Sequence, residues 1–506
     1  MKKNKFINFP WYTLFFALYS PLALLAYNIG QVDISTTLRS LLVSLGITLI
    51  LLALLKTLLK DLQKAGLIVA LIIILFFSYG HIYLSIKNFQ LGGFLVGRHR
   101  YLAVIWSGLA IFGIWWILKK LHSTAFASSL NLIALLLVLF PITQIISFTM
   151  ENAGDEQVTL PEHQQKNAPA DENLPDVYYI VLDSYGRSDV LQKDLDYDNS
   201  SFLEDLENLG FYVARCSQSN YANTELSLAS SLNLDYLNVL NEELTPETTD
   251  RFLVWPLVKH NLVVKKFIDL GYTIRAFDTD FNISDIESVD YFYTAPQRGF
   301  NGFENLLLQT TAGIILDDAG IFRNFHITAD DIKYNRILFT LDTLEKIPQL
   351  SGPDFIFVHL LLPHPRFVFG PDGEMTIVQK FSSNKSEYYS DENYIKGYKN
   401  QAIFISNRIT EIAKDIIQNS SNPPIIIIQG DHGPNHFSEA DRMGIINAYY
   451  FPEVTQEFYS TITPVNSFRL LFSTYFGEDY PLLDDLSYYS TYKNPYQFEE
   501  IPNECR

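Results

Sequence analysis

Residues 425–436 read IIIIQGDHGPNH, and this stretch decides what kind of domain the C-terminal part of the chain builds. Four successive isoleucines behind Pro423 and Pro424 are too few to cross a membrane, and a β-branched run of that length predicts a strand buried on both faces. The strand ends at Gly430, and Asp431, His432 and Gly433 follow at its carboxyl end. In an open parallel α/β sheet, that end is where ligands collect. An adjacent Asp and His offer an oxygen and an imidazole nitrogen to one hard or borderline divalent cation, and Gly433 lets backbone come close. The same residues also suit a strand that merely ends in a polar turn, so the rest of a site has to be sought elsewhere.

Working outward, short apolar runs alternate with longer amphipathic stretches. VYYIVL at 177–182 is a strand, and LEDLENLG at 203–210 is a helix closed by Gly210, after which FYVA starts a new strand. VVKKFIDLG at 263–271 leads into YTIRAF in the same way. DFIFVHLLL at 354–362 is another strand, and ITEIAKDIIQ at 409–418 is a helix feeding the isoleucine strand. This alternation predicts one α/β domain with a largely parallel sheet over residues 176–506. No internal repeat, glycine-rich phosphate loop or basic-aromatic nucleic-acid module is present.

The N-terminal part is of another kind. Five apolar segments, roughly 10–29, 38–55, 66–86, 101–118 and 128–149, each approach the ~20 residues that cross ~30 Å of hydrocarbon. Tyr101, Trp106, Trp115 and Trp116 flank the fourth as an aromatic belt would. Lys2, Lys3 and Lys5 precede the first, but no small-x-small cleavage site follows it, so an uncleaved anchor is expected rather than a signal peptide. Residues 1–150 are therefore predicted to be a transmembrane domain of five helices. Residues 151–175, polar, acidic and punctuated by prolines, read as a linker. With the N-terminus inside, Lys2, Lys3, Lys5, Lys56, Lys60, Lys64, Lys119 and Lys120 lie on the cytoplasmic side, against Arg39, Lys87, Arg98 and Arg100 on the other. That bias, with five spans, predicts an integral protein of the plasma or inner membrane whose C-terminal domain is extracytoplasmic.

Charge divides at the same boundary. Residues 1–150 hold 12 Lys/Arg and two Asp/Glu, and the rest of the chain holds 25 and 54. A domain this acidic is a poor nucleic-acid binder. The five spans contain no acidic residue to line a transport path, which disfavours a transporter. The two cysteines, Cys216 and Cys505, have no metal or redox spacing, and their pairing is left open.

Three further strand or helix ends resemble the first. VYYIVL runs into Asp183, where a carboxylate is a helix cap or a ligand. In SNYANTELSLASSLNLDYL, residues 219–237, Thr224 opens a run buried through Leu226, Leu228, Leu232 and Leu234. A threonine there is ordinarily a cap, but its hydroxyl also sits at the positive end of a helix dipole, where a metal-bound oxygen makes a nucleophile. In FIFVHLLLPHPRFVF, residues 355–369, His359 lies inside the strand and reads as a core histidine or one behind a site. His364, between Pro363 and Pro365, is placed to face a cleft and to protonate a leaving group or bind an oxyanion. Arg187 and His436 are near enough in sequence to touch a substrate.

Taken in order, Asp183, Thr224, His364 and Asp431-His432 resemble the sulfatase-like branch of the alkaline phosphatase superfamily, particularly the membrane-anchored lipoteichoic acid synthases and phosphoethanolamine transferases. The resemblance covers nearly the whole chain, since those proteins also have five N-terminal spans, a linker and an extracytoplasmic catalytic domain. It implies Asp183, Thr224, Asp431 and His432 as ligands of one divalent metal, with Mn or Zn suited and Mg or Ca possible. It further implies Thr224 as a transiently phosphorylated nucleophile and His364 as a contact to the substrate phosphate or leaving group. The substrate would be a phospholipid or an envelope glycan, and the reaction transfer of a phosphoglycerol or phosphoethanolamine type of head group. Hydrolysis of an ester by water and a non-catalytic relative of the fold are the alternatives. Sulfatases proper place a cysteine or serine in a C/S-x-P/A-x-R context, whereas Cys216-Ser217-Gln218-Ser219 has neither the Pro/Ala nor the Arg. That departure speaks for phosphoryl rather than sulfuryl chemistry.

Overall fold

The computed structural model describes residues 9–29, 34–87, 89–91, 94–120, 124–152, 174–279, 281–286, 289–296, 299–376, 391–434, 437–452 and 458–505. His436 and most of the expected linker lie outside the described residues. The chain forms two compact units. One comprises Met1–Glu162, Gln297–Ile332 and Phe381–Tyr388, and the other His163–Pro296, Lys333–Lys380 and Tyr389–Arg506.

The first unit is built on helices α1 (Tyr12–Tyr27), α2 (Leu38–Leu59), α3 (Leu62–Ile86), α4 (His99–Lys119) and α5 (Thr124–Asn152). Among the described residues four helical segments, Ile34–Leu59, Leu62–Ile86, His99–Lys119 and Ser129–Met150, are long and apolar enough to cross a membrane. The expectation of five spans is therefore corrected to four. The first apolar segment starts its helix only at Tyr12, beyond Pro10, and leaves it at Asn28, so α1 has 16 residues. At 1.5 Å per residue that is about 24 Å, short of a ~30 Å hydrocarbon core. Leu42, Ile47, Ile50, Ile105, Ile111 and Phe112 are exposed on the long helices, as lipid-facing side chains would be. The short turn between α2 and α3 is fixed by Asp61, whose carboxylate accepts from the N–H groups of Gln63 and Lys64.

The later segment belongs to this unit through polar contacts that sequence order does not announce. Arg39 at the head of α2 pairs with Glu304 of the helix Gly302–Gln309 and donates to Gly299 O at 2.6 Å. His99 Nε2 lies 2.7 Å from Asp318 Oδ2, with Tyr83 stacked on the imidazole at 3.8 Å.

The second unit is an α/β domain around a seven-stranded sheet: β1 (Val177–Leu182), β2 (Tyr212–Val213), β3 (Thr273–Phe277), β4 (Tyr291–Tyr293), β5 (Asp354–Leu360), β6 (Ile425–Gly430) and β7 (Asn447–Tyr450). Their spatial order is β2-β7-β6-β1-β5-β3-β4. The five strands from β6 to β4 are parallel, and β7 runs antiparallel to both β6 and β2. This is the largely parallel sheet that the sequence predicts. The isoleucines of β6 are fully buried, because helices cover both faces of the sheet. One face packs on α7 (Asp391–Asn419) through Ile405, Ile409, Ile412 and Ile416. The other packs on α6 (Thr224–Ser231) through Leu226, Leu228 and Ala229, and on α8 (Pro464–Phe476) through Phe468, Leu471 and Phe472. Proline in the first turn of α8 and Gly477 at φ 65° just past its end set that helix's limits.

Cys216 and Cys505 are joined by a disulfide across 289 positions, closing the alternative left open by their spacing. Asn503 reinforces the closure by donating to Cys216 O at 2.7 Å. Replacing both cysteines by alanine is expected to lower stability by about 2–5 kcal/mol. A reduced melting temperature, insensitive to added reductant in the variant alone, checks this.

Candidate metal centre

Strand register assembles the site. Leu182 of β1 is level with Leu360 of β5 on one side and with Gly430 of β6 on the other. The residues one step past β1 and β6, Asp183 and Asp431, must therefore emerge side by side at the carboxyl edge. Asp183 N–H donates to Leu360 O at 2.9 Å, and His364 N–H donates to Asp183 O at 3.2 Å, which draws the end of β5 into the same place. The turn after β6 is closed by glycine: a Cβ on Gly433 would lie 2.7 Å from Asp441 O and 2.8 Å from Gly444 O.

Ser184 carries the strain of this junction, with φ at 66° for a residue with a side chain. Its N–H donates to Asp431 Oδ1 at 2.9 Å and its hydroxyl to Asp183 Oδ1 at 2.9 Å, so one residue orients both carboxylates. Tyr398 on α7 locks the turn, donating to Ser184 O at 2.7 Å and accepting from Gly186 N–H at 3.1 Å.

Asp183, Asp431 and His432 are all buried, and one donor atom from each lies within 4.8 Å of the others. Thr224, the first residue of α6 and 5% exposed, brings Oγ1 to 3.3 Å from His432 Nε2. His432 Nδ1 lies 2.8 Å from Gly433 O; a carbonyl only accepts, so Nδ1 carries the proton and Nε2 keeps its lone pair toward the cluster. Asp431 Oδ2 and His359 Nε2 are buried without a hydrogen-bond partner. Two orphaned buried donor atoms beside two carboxylates, an imidazole and a hydroxyl fit a divalent cation of hard to borderline character.

The electrostatics agree. Burial, and then the charge of Asp431, push Asp183 well above the usual carboxylate range. Asp431 feels the same burial, but the facing His432 and His359, the nearby Thr224 hydroxyl and the hydrogen bond from Ser184 N–H outweigh it and hold its carboxyl below that range. Burial, and then the Arg442 charge, bring His432 down to about 4, so its imidazole is neutral and ligand-ready near pH 7.

His359 lies behind Asp183, with Nε2 3.7 Å from Asp183 Oδ2 and Nδ1 2.9 Å from Ser284 Oγ. His364 Nδ1 lies 3.1 Å from Pro365 O, and burial together with the Lys333 ammonium lowers its pKa, leaving Nε2 as a free base. Arg187 sends its donors elsewhere, to both Asp189 oxygens at 2.7 and 2.9 Å and to Ser217 O and Asn503 Oδ1. Lys333 and Arg442 were not singled out by the sequence. Lys333 donates to His364 O at 3.0 Å, and both cations act on Asp183 and His364. Neither sits in a motif, and only tertiary folding brings them here.

No family model matches the chain, and no curated protein does. Solved structures similar to it include the zinc complex of the C-terminal periplasmic domain of EcEptC from Escherichia coli, 13% identical, covering 66% of this chain and 94% of that one at a TM-score of 0.42. The lipooligosaccharide phosphoethanolamine transferase A (EptA), an integral membrane protein from Neisseria meningitidis, is 11% identical over 93% of this chain and 95% of its own, at a TM-score of 0.35. The lipoteichoic acid synthase LtaP from Listeria monocytogenes is 12% identical over 61% of this chain and 75% of its own, at 0.38. At such scores the functional reading rests on the side chains of the site.

Proposed function

We propose that this chain is a membrane-anchored, metal-dependent phosphotransferase that moves a phospho-head group, of phosphoglycerol or phosphoethanolamine type, through Thr224 onto an envelope glycan or lipid. The observation that carries the proposal is the Thr224 hydroxyl at the amino end of α6, 3.3 Å from His432 Nε2 and beside two buried carboxylates. Asp183, Asp431, His432 and Thr224 would hold the cation. When bound, it supplies charge neutralisation and a lowered hydroxyl pKa.

In the first half-reaction Thr224 Oγ attacks the phosphorus of a diester. The Oγ–P bond forms, the bond from phosphorus to the leaving alcohol breaks, and the proton lost by Thr224 ends on that alcohol. In the second, an acceptor hydroxyl attacks the phosphothreonine and the Thr224 hydroxyl is restored. His364, with Nε2 a free base, is assigned to relay the proton: it takes it from Thr224 and passes it to the leaving alcohol in the first step, and takes the acceptor's proton and returns it to Thr224 in the second. Cys216, as half of a disulfide, offers no thiol for the modification that sulfatases proper need.

The disulfide also favours an oxidising compartment for this unit. Under four spans loop charge does not decide the orientation: Lys56, Lys60, Lys64, Lys119 and Lys120 share one side, while Arg39, Lys87, Arg98, Arg100 and the start of the C-terminal unit share the other with Lys2, Lys3 and Lys5. On this reading, which the disulfide supports, the catalytic unit lies outside the plasma or inner membrane.

The test is to quench full-length, metal-loaded protein during incubation with a phosphodiester lipid, with and without an acceptor alcohol. A phosphorylated peptide containing Thr224, discharged faster by the acceptor than by water, is expected. Turnover with no covalent peptide would reject the scheme, and equal discharge by water would make the enzyme a hydrolase.

A further inference from the structure

Arg442 lies in the short helix Glu439–Met443 and is only 8% exposed. Its Nε donates to Ala222 O at 2.6 Å, two residues before Thr224. Its own carbonyl accepts from Gly433 N–H at 2.6 Å, one residue past His432. The arginine is thereby clamped between the loop that leads to the nucleophile and the turn that follows the ligand pair. Its Nη2 is buried and makes no hydrogen bond. Among the described residues it forms no ion pair, although Asp183 is close enough to feel its charge.

A buried guanidinium with an unused donor is costly to fold around unless something anionic arrives to meet it. Its fork has one arm fixed on Ala222 O, which sets the plane in which the remaining donors point. The carboxylates cannot be the permanent partner, since both are oriented by Ser184 and belong to the cation's donor set. A tetrahedral anion held on the Thr224 side of the cluster supplies the missing acceptor.

We propose that Arg442 binds a non-bridging oxygen of the phosphoryl group that Thr224 takes up, so that the group is held by an arginine on one side and the metal donor set on the other. The proposal rests on the transferase reading for the identity of that group. The subsite itself can be tested without turnover.

Full-length protein loaded with metal is titrated with inorganic phosphate, and binding is read by calorimetry beside Arg442→Gln, which keeps an amide donor for Ala222 O and removes the charge. Phosphate affinity is expected to fall at least tenfold in the variant, with metal content unchanged. Equal affinity in the two proteins overturns the proposal, as does a wild type that binds no phosphate. If Arg442→Gln does not fold, Arg442→Lys replaces it. Weaker binding is expected there too, because one ammonium cannot serve Ala222 O and the anion together, and unchanged affinity overturns the proposal again. A wild type that binds phosphate through Arg442 but forms no phosphothreonine would sink the transferase reading alone. One that transfers normally while Arg442→Gln matches it in rate and affinity would sink the subsite alone.

Discussion

Thr224→Ala is expected to stop the proposed phosphoryl transfer, with kcat lower by at least about four orders of magnitude, the scale on which deletion of a covalent nucleophile acts. The fold tolerates the change. Thr224 is the first helical residue rather than the cap, since Asn223 holds that position, and the methyl group of alanine suits the start of α6. Its hydroxyl is one of four expected metal donors, so the variant is assayed at saturating metal to separate chemistry from loading. Thr224→Ser, which keeps the oxygen, should recover part of the rate and the covalent peptide. Activity of the alanine variant within tenfold of wild type would transfer the nucleophile's role to another group and end the scheme.

Removing Asp431 and His432 together is expected to abolish metal binding. The purified full-length protein should hold about one Mn or Zn per chain, and Asp431→Ala/His432→Ala none. Metal at a hundred times its Kd adds about 2.7 kcal/mol to the native state, so added metal should raise the melting temperature of wild type and leave the variant unmoved. The pH dependence has a definite sign. Without metal, Asp183 is raised, so the fold retains a proton that the unfolded chain would release. The stability from that proton is present below the ordinary carboxylate pKa and is lost as pH rises through the raised value. Metal needs both carboxylates ionised, so its uptake expels the proton and affinity climbs with pH through that window. A folded wild type that takes up no metal would reduce Asp183, Asp431 and His432 to strand caps.

The parts of the site that were legible in the sequence are local. Strands of one length, each ended by a carboxylate, deliver Asp183 and Asp431 to one edge as soon as Leu182 is level with Gly430, and register in a buried parallel sheet leaves no slack. His432 and Thr224 follow from their places beside a strand end and at a helix start. What stayed hidden is set by tertiary packing. Nothing around Arg442 marks it as a neighbour of Ala222, and Lys333 is one more basic residue on the helix Ala329–Leu344. The positive φ of Ser184 exists only because two carboxylates and Tyr398 constrain it at once. Hydropathy found the apolar segment of α1 but not its ends, because Pro10 and Asn28 trim a helix without changing the average. The disulfide joins residues too far apart for spacing to speak.

The segment around residues 299–327, which pairs Glu304 with Arg39 and Asp318 with His99, makes the anchor discontinuous in sequence. Proteolysis confined to residues 153–173 would therefore cut the polypeptide without freeing the enzyme, because the C-terminal fragment would still carry its own piece of the membrane unit. Shedding into the surroundings would require a second cut on each side of that piece. Conversely, a secreted version trimmed to begin at residue 176 would expose a Glu304 stripped of its arginine and an Asp318 stripped of its histidine. Solubility of such a fragment would then depend on deleting the inserted segment as well as the helices before it.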